Sequence, residues 1–259
     1  MGILIGVMVD NQAHRVLRQH VQTDALLGVD TVVLDQTASM PANSDGQSQM
    51  FQRLDPQAKH QILQTMDETE VRSCTKCPLC EGRTQTVFGE GDPNAQLMFI
   101  GEGPGKREDE LGRPFVGRAG ELLDKQIAAM KLTREQVFIA NIVKCRPPGN
   151  RTPSPDEIQA CSDYLCSQIR TVQPRVIVTL GAAATKSLLQ TREGITRIRG
   201  TWHEYLGLTP DGPTIPAMPT FHPAYLLRVY TPDNRRKVWD DLQKVVSRLT
   251  EPDNRSFSA

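Results

Sequence analysis

Three short segments and a set of cysteines carry the side chains best suited to chemistry. Gly101-Glu102-Gly103-Pro104-Gly105 joins a glycine turn to a carboxylate. Asn141-Ile142-Val143-Lys144-Cys145 joins an amide to an amine and a thiol, and His222-Pro223-Ala224-Tyr225 supplies an imidazole. The glycines and Lys106 first suggest a phosphate loop, but that motif needs Gly-x4-Gly-Lys-Ser/Thr. Ile100 stands where its first glycine should be, and Arg107 follows Lys106. The dinucleotide pattern fails as well, because Lys106 takes the place of its third glycine. Taken alone, such a turn is as readily structural as functional.

The cysteines have a pattern of their own. Cys74-x2-Cys77 is followed after 67 residues by Cys145-x15-Cys161, with Cys80 and Cys166 left over. Four thiolates can hold a [4Fe–4S] cluster or a tetrahedral zinc, and spacing alone does not choose between them. Cys80 makes a second C-x2-C with Cys77, so an exchange with Cys74 is conceivable. Unconnected buried thiols are the bland alternative.

Each of the three segments directly follows a predicted strand. Leu97-Met98-Phe99-Ile100, Val137-Phe138-Ile139-Ala140, Val176-Ile177-Val178-Thr179-Leu180 and a stretch near Ile215 to Phe221 are short apolar runs. Helical spacing recurs between and after them, over 117–130, 155–171, 182–190 and 233–249, the second opened by the start signal Ser154-Pro155-Asp156-Glu157. Alternation of this kind predicts an α/β fold, a three-layer α/β/α sandwich around a short, mainly parallel four-stranded sheet. Ligands of such sheets sit at the carboxyl ends of the strands, so the three segments should converge on one rim. This catalytic unit is expected over 67–250, with a tail at 251–259. Residues 1–35 read as an N-terminal extension of unassigned role, and 36–66, rich in Ser, Gln, Asn, Pro and Gly, as a flexible linker.

The stretch from Gly101 to Asp109, followed by Gly112-Arg113-Pro114-Phe115-Val116-Gly117-Arg118-Ala119-Gly120, closely resembles the first active-site motif of the family-four uracil-DNA glycosylases. The resemblance recurs in order through Asn141-Ile142-Val143-Lys144-Cys145-Arg146-Pro147-Pro148, Leu180-Gly181, Arg199-Gly200 and His222-Pro223-Ala224-Tyr225-Leu226-Leu227-Arg228. It covers roughly residues 70–249 and leaves the first 66 unexplained. It implies removal of uracil from DNA, and the similar cysteine spacing implies a [4Fe–4S] cluster on Cys74, Cys77, Cys145 and Cys161.

Physical chemistry gives these residues sensible work. An enzyme acting on a base in DNA takes it out of the stack and reads its edge in a snug pocket. Uracil presents two carbonyl acceptors and one N3–H donor, which the amide of Asn141 can match. Phe115 can stack on the pyrimidine, with Gly101 and Gly103 allowing close approach, although core packing would serve any Phe equally. Bond cleavage leaves an anionic base and a cation-like sugar. His222 can donate to the anion, and Glu102 can face the sugar or orient water, with Glu108 and Asn150 as second candidates for water. Leu226 or Leu227 could fill the gap left by the flipped nucleotide and Arg228 touch phosphate, or the same run could be an amphipathic helical turn. No lysine stands out as a Schiff-base nucleophile, which predicts base removal without strand cleavage. A related subgroup traps the sugar through a histidine in an insertion after the asparagine motif. Arg146 to Pro153 contains none.

Bulk properties restrict less. Lys/Arg and Asp/Glu each number 30, but residues 1–70 hold four against nine and leave 26 against 21 in the remainder, a mild basic bias. No apolar run is long enough for a membrane span, and neither a secretory signal nor a myristoylation site is apparent, so the expected location is cytoplasmic. The expected partner is uracil-containing DNA; the chain reads as a monomer whose N-terminal extension could dock a protein. Competing readings are an iron–sulfur electron carrier, a non-catalytic partner of a DNA polymerase, and a glycosylase for another deaminated base.

Overall fold

The computed structural model describes residues 53–207 and 214–253. The N-terminal extension, the linker up to residue 52 and the tail from 254 lie outside them.

Six strands form one sheet: β1 Glu90–Gly91, β2 Leu97–Gly101, β3 Phe138–Asn141, β4 Val176–Leu180, β5 His203–Tyr205 and β6 Ile215–Thr220, in the order β1-β3-β2-β4-β6-β5. The four central strands are parallel. β2, β3 and β4 are buried along their whole length, as expected where helices cover both faces. Alternation along β2 decides which cover each residue meets. Met98 and Ile100 join a core with Leu165 and Ile169, whereas Leu97 and Phe99 join one with Leu123, Ile127, Val238 and Leu242.

Nine α-helices lie among the described residues: α1 Pro56–Met66, α2 Leu79–Gly82, α3 Lys106–Leu111, α4 Arg118–Ala129, α5 Pro155–Val172, α6 Gly181–Leu189, α7 Ile195–Ile198, α8 Pro223–Arg228 and α9 Pro232–Thr250. None is long and apolar enough to cross a membrane. The two cores thus place α1, α5 and α6 on one face of the sheet, and α4 and α9 on the other.

Two expectations need correction. The sheet has six strands, not four: the parallel four are those anticipated, and β1 and β5 are antiparallel edges of two and three residues, too short to show alternation. Residues 53–66 are also not linker. Asp55 caps α1 by accepting from the N–H groups of Gln57 and Ala58 at 2.9 and 3.2 Å, with Pro56 at the first turn. Leu63 and Met66 are buried in the core, and Lys59 Nζ donates to Val172 O at 2.8 Å, satisfying a carbonyl at the end of α5. Few apolar residues sufficed, because the helix needs only a narrow buried stripe.

Candidate active site

Strand register brings the motifs together. Gly101 pairs with Asn141 across β2 and β3, and Leu180 with Thr220 across β4 and β6. The segments leaving these strands therefore share the carboxyl rim. A Cβ on Gly101 would stand 2.5 Å from both Asn141 Oδ1 and the Phe115 ring, so only glycine lets the amide and the ring approach there. The Phe115 ring centroid lies 5.6 Å from that of His222, with planes 30° apart. At Gly181, where φ is +86°, a Cβ would come within 2.8 Å of His222 Cβ. Amide, aromatic ring and imidazole, separated widely in sequence, occupy one site.

Phe115 is held there against its backbone preference. Its φ is +50°, a left-handed conformation costly for a bulky residue unless its surroundings impose it. Glu108 supplies one constraint, accepting from the N–H groups of Val116 and Gly117 at 2.9 and 2.8 Å. Arg134 supplies another: its guanidinium donates to Phe115 O at 3.2 Å and to Pro114 O, while pairing with Glu90 at 2.6 Å and Asp124 at 2.8 Å. Arg134 and Glu90 were not anticipated, since no motif surrounds them. Their ion pairs only acquire meaning once the loop is folded.

The side chains gathered on this rim differ sharply in what they still lack. Asn141 is buried, and its Oδ1 has no hydrogen-bond partner, alone in this among the described residues. Such an acceptor awaits a donor, because buried polar groups are otherwise paired. His222 caps α8: its Nδ1 accepts from the N–H of Ala224 at 3.0 Å, which leaves the proton of the neutral ring on Nε2. Burial, assisted by the positive charge of Arg228, lowers its pKa to about 4. Near neutral pH the site therefore contains a neutral imidazole with one N–H to donate. Glu102 is half-buried, and no hydrogen bond or ion pair engages its carboxylate among the described residues.

The other anticipated residues separate. Glu108 is occupied with the Phe115 loop. Asn150 is exposed, and its Oδ1 accepts from Arg146 Nε at 2.7 Å on the loop after Cys145; among the described residues no hydrogen bond joins it to Asn141, Phe115 or His222. Leu226, one of the two wedge candidates, is 1% exposed and packed in the core with Leu180 and Phe221. Leu227 is half-buried and Arg228 exposed. Gly103 faces Val143, whose Cγ2 would lie 2.9 Å from an added Cβ. Arg199 braces the site from behind, donating to Asp241, which also accepts from Thr220 Oγ1 at 2.6 Å.

Five of the six cysteines, Cys74, Cys77, Cys80, Cys145 and Cys161, line one hollow. Donors already face the sulfurs. Arg83 Nη1 lies 3.2 Å from Cys145 Sγ, and the N–H of Lys144 3.3 Å from Cys161 Sγ. Burial pushes the Cys161 thiol up to about 11 and raises Cys77 and Cys145 as well, so without metal these groups keep their protons. Among the described residues no three His, Cys, Asp or Glu side chains are gathered as they would be around a bound metal ion. Cys166 stands apart, accepting from Tyr205 Oη at 3.6 Å.

Comparison with known proteins agrees with this geometry. The model of the uracil DNA glycosylase superfamily matches residues 88–243. A type-4 uracil-DNA glycosylase of Thermotoga maritima is 44% identical over 190 residues, covering 73% of this chain and 95% of its own. That of Saccharolobus solfataricus is 46% identical over 189 residues, covering 70% and 84%, and that of Archaeoglobus fulgidus 38% identical over 189, covering 71% and 92%. The chain belongs to the uracil-DNA glycosylase superfamily. The family match contains Glu102, Phe115, Asn141 and His222 and begins after Cys74 and Cys77. Asn141, Phe115 and His222 lie inside the residues that the family model matches, whereas the hollow between the cysteines also draws on residues that precede that match.

Proposed function

We propose that the chain is a uracil-DNA glycosylase, which hydrolyses the N-glycosidic bond of deoxyuridine in DNA, releases uracil and leaves an abasic site. The observation that carries this reading is the unpartnered Oδ1 of Asn141, buried beside Phe115 and His222. The N3–H of an extruded uracil supplies the missing donor, and the amide N–H of the same side chain can donate to a uracil carbonyl. Phe115 stacks on the ring. As the bond breaks, negative charge gathers on the base oxygen, where His222 Nε2–H donates most strongly. Glu102, free of other partners, faces the cation-like sugar or the attacking water. The amine of Lys144 is turned into the protein, which agrees with base removal without strand cleavage.

Leu227 is the remaining candidate for the wedge and Arg228 for a phosphate contact. Cys74, Cys77, Cys145 and Cys161 would hold a [4Fe–4S] cluster, with Cys80 as the alternative to Cys74. The five-thiol hollow and its N–H donors support a site for thiolate ligands, and the resemblance of the cysteine spacing to that of the glycosylase family favours the cluster over zinc. When bound, the cluster supplies a structural staple, since base hydrolysis moves no electrons. The remaining parts of the reading are a monomer in the cytoplasm and a protein partner for residues 1–35.

The test is one assay on purified protein with labelled oligonucleotides holding uracil, thymine or hypoxanthine, scored for alkali-labile sites, with a visible spectrum of the same sample. Cleavage after alkali at uracil alone is expected. A brown protein that leaves all three bases intact would replace this reading with that of an electron carrier.

A further inference from the structure

The asparagine motif carries an amine for which the proposed reaction has no use. Lys144 is 1% exposed, and a buried ammonium is costly unless its donors are satisfied. Two acceptors take it. Nζ donates to the backbone carbonyl of Asn141 at 3.0 Å and to Gln168 Oε1 at 2.6 Å. Gln168, fully buried on α5, is fixed in turn by donating from Nε2 to Phe88 O at 2.8 Å. The backbone of Lys144 is also tied, through its N–H to Cys161 Sγ and through its carbonyl, which accepts from the N–H of Val87 at 2.8 Å.

We propose that Lys144 is a positioning residue for uracil recognition: its ammonium holds the Asn141 carbonyl and thereby aims the Asn141 amide at the base. β3 ends at Asn141. Beyond it the backbone pairs with the β2 segment only through Ile142 N to Gly101 O at 3.0 Å and Val143 N to Glu102 O at 3.4 Å. The bond from Lys144 fixes the peptide plane on the carboxyl side of Asn141, from below the rim, while the amide above it has an acceptor left open. Misplacing a recognition group by about 1 Å can cost about 100-fold in rate. A neutral stem of equal length would fill the same space yet leave the carbonyl unheld.

This inference rests on the glycosylase reading, and the experiment separates their failures. Full-length, iron-loaded protein is compared with Lys144→Met and Lys144→Arg for melting temperature, single-turnover uracil release and the inhibition constant of free uracil. Lys144→Met should slow release per folded molecule about 10- to 100-fold and weaken free uracil by a similar factor, with KM for DNA little changed. Lys144→Arg should recover part of both. If Lys144→Met yields no folded protein, Gln168→Met, which removes the anchor of the amine together with the bond to Phe88 O, should move the same two readouts in the same direction. A variant that melts earlier but keeps wild-type release and uracil inhibition overturns the positioning role alone. Wild-type protein that releases no uracil overturns the parent reading and this one with it.

Discussion

At the scale of single residues, the pocket spends stability on being incomplete. An unpaired buried acceptor costs about 1–3 kcal/mol, and Asn141 Oδ1 is the orphan among the described residues. Asn141→Ala should therefore lower single-turnover uracil release by about 100- to 1,000-fold while leaving the melting temperature unchanged or higher; a large loss of stability would mean that the amide serves the fold. His222 permits a test with pH. Its pKa, lowered to about 4 mainly by burial, keeps the ring neutral from alkaline pH down through the ordinary imidazole range. The pH profile of kcat/KM should show no limb near 6.5 that His222→Ala removes. Between 6.5 and about 4 the unfolded chain binds a proton that the folded ring refuses, so stability should fall as pH drops through that window. Urea titrations of wild type and His222→Ala across it would measure the difference in slope.

At the scale of elements, what could be read in advance depended on whether a structure announces itself locally. Ser154-Pro155-Asp156-Glu157 announced α5: Ser154 Oγ accepts from the N–H of Glu157, and Glu157 Oε2 accepts from the N–H of Ser154 at 2.7 Å. The strands before Gly101, Asn141 and Gly181 were equally plain, because fully buried strands are continuous apolar runs. The left-handed turn at Phe115 was not, since it depends on Arg134, Glu90 and Glu108 closing on it from elsewhere. Nor was α1, whose apolar stripe was too narrow to outweigh the polar tract before it. The α5 cap has a measurable consequence. Arg151, followed by the N–H of Ser154, holds the Glu157 carboxyl down to about 2. A depressed carboxyl contributes stability above its unfolded value, and the contribution disappears as pH falls toward the folded one. Glu157→Gln should be less stable by about 1–2 kcal/mol at pH 7, and the gap should close between pH 4.5 and about 2. Denaturant melts at pH 7 and pH 3 would reveal a gap that does not shrink.

At the scale of the whole molecule, the thiol hollow is one of the features that join residues inside the family match to residues before it. Cys74 and Cys77 precede the matched region, and Cys145 and Cys161 flank the loop that follows Asn141. Without metal this junction rests on bonds such as Arg83 Nη1 to Cys145 Sγ at 3.2 Å and the N–H and hydroxyl of Thr84 to Asp109 at 2.9 and 2.8 Å. Closing a loop of 67 residues between Cys77 and Cys145 by ligation restricts the unfolded chain far more than it alters the pocket. The resemblance in cysteine spacing could suggest four thiols, with Cys80 open as an exchange for Cys74, but only folding shows five around one hollow, with Cys80 half-buried among them. If the cluster is a staple, Cys74→Ser should reduce folded yield and melting temperature, yet leave uracil release per folded, iron-loaded molecule within about twofold of wild type. Cys80→Ser should keep its iron, and Cys74→Ser/Cys80→Ser should hold less than Cys74→Ser, because only the single variant retains a fifth sulfur to recruit. Normal stability with lost chemistry in Cys74→Ser would mean instead that the cluster acts on the reaction or on DNA, and iron content measured beside activity distinguishes the two.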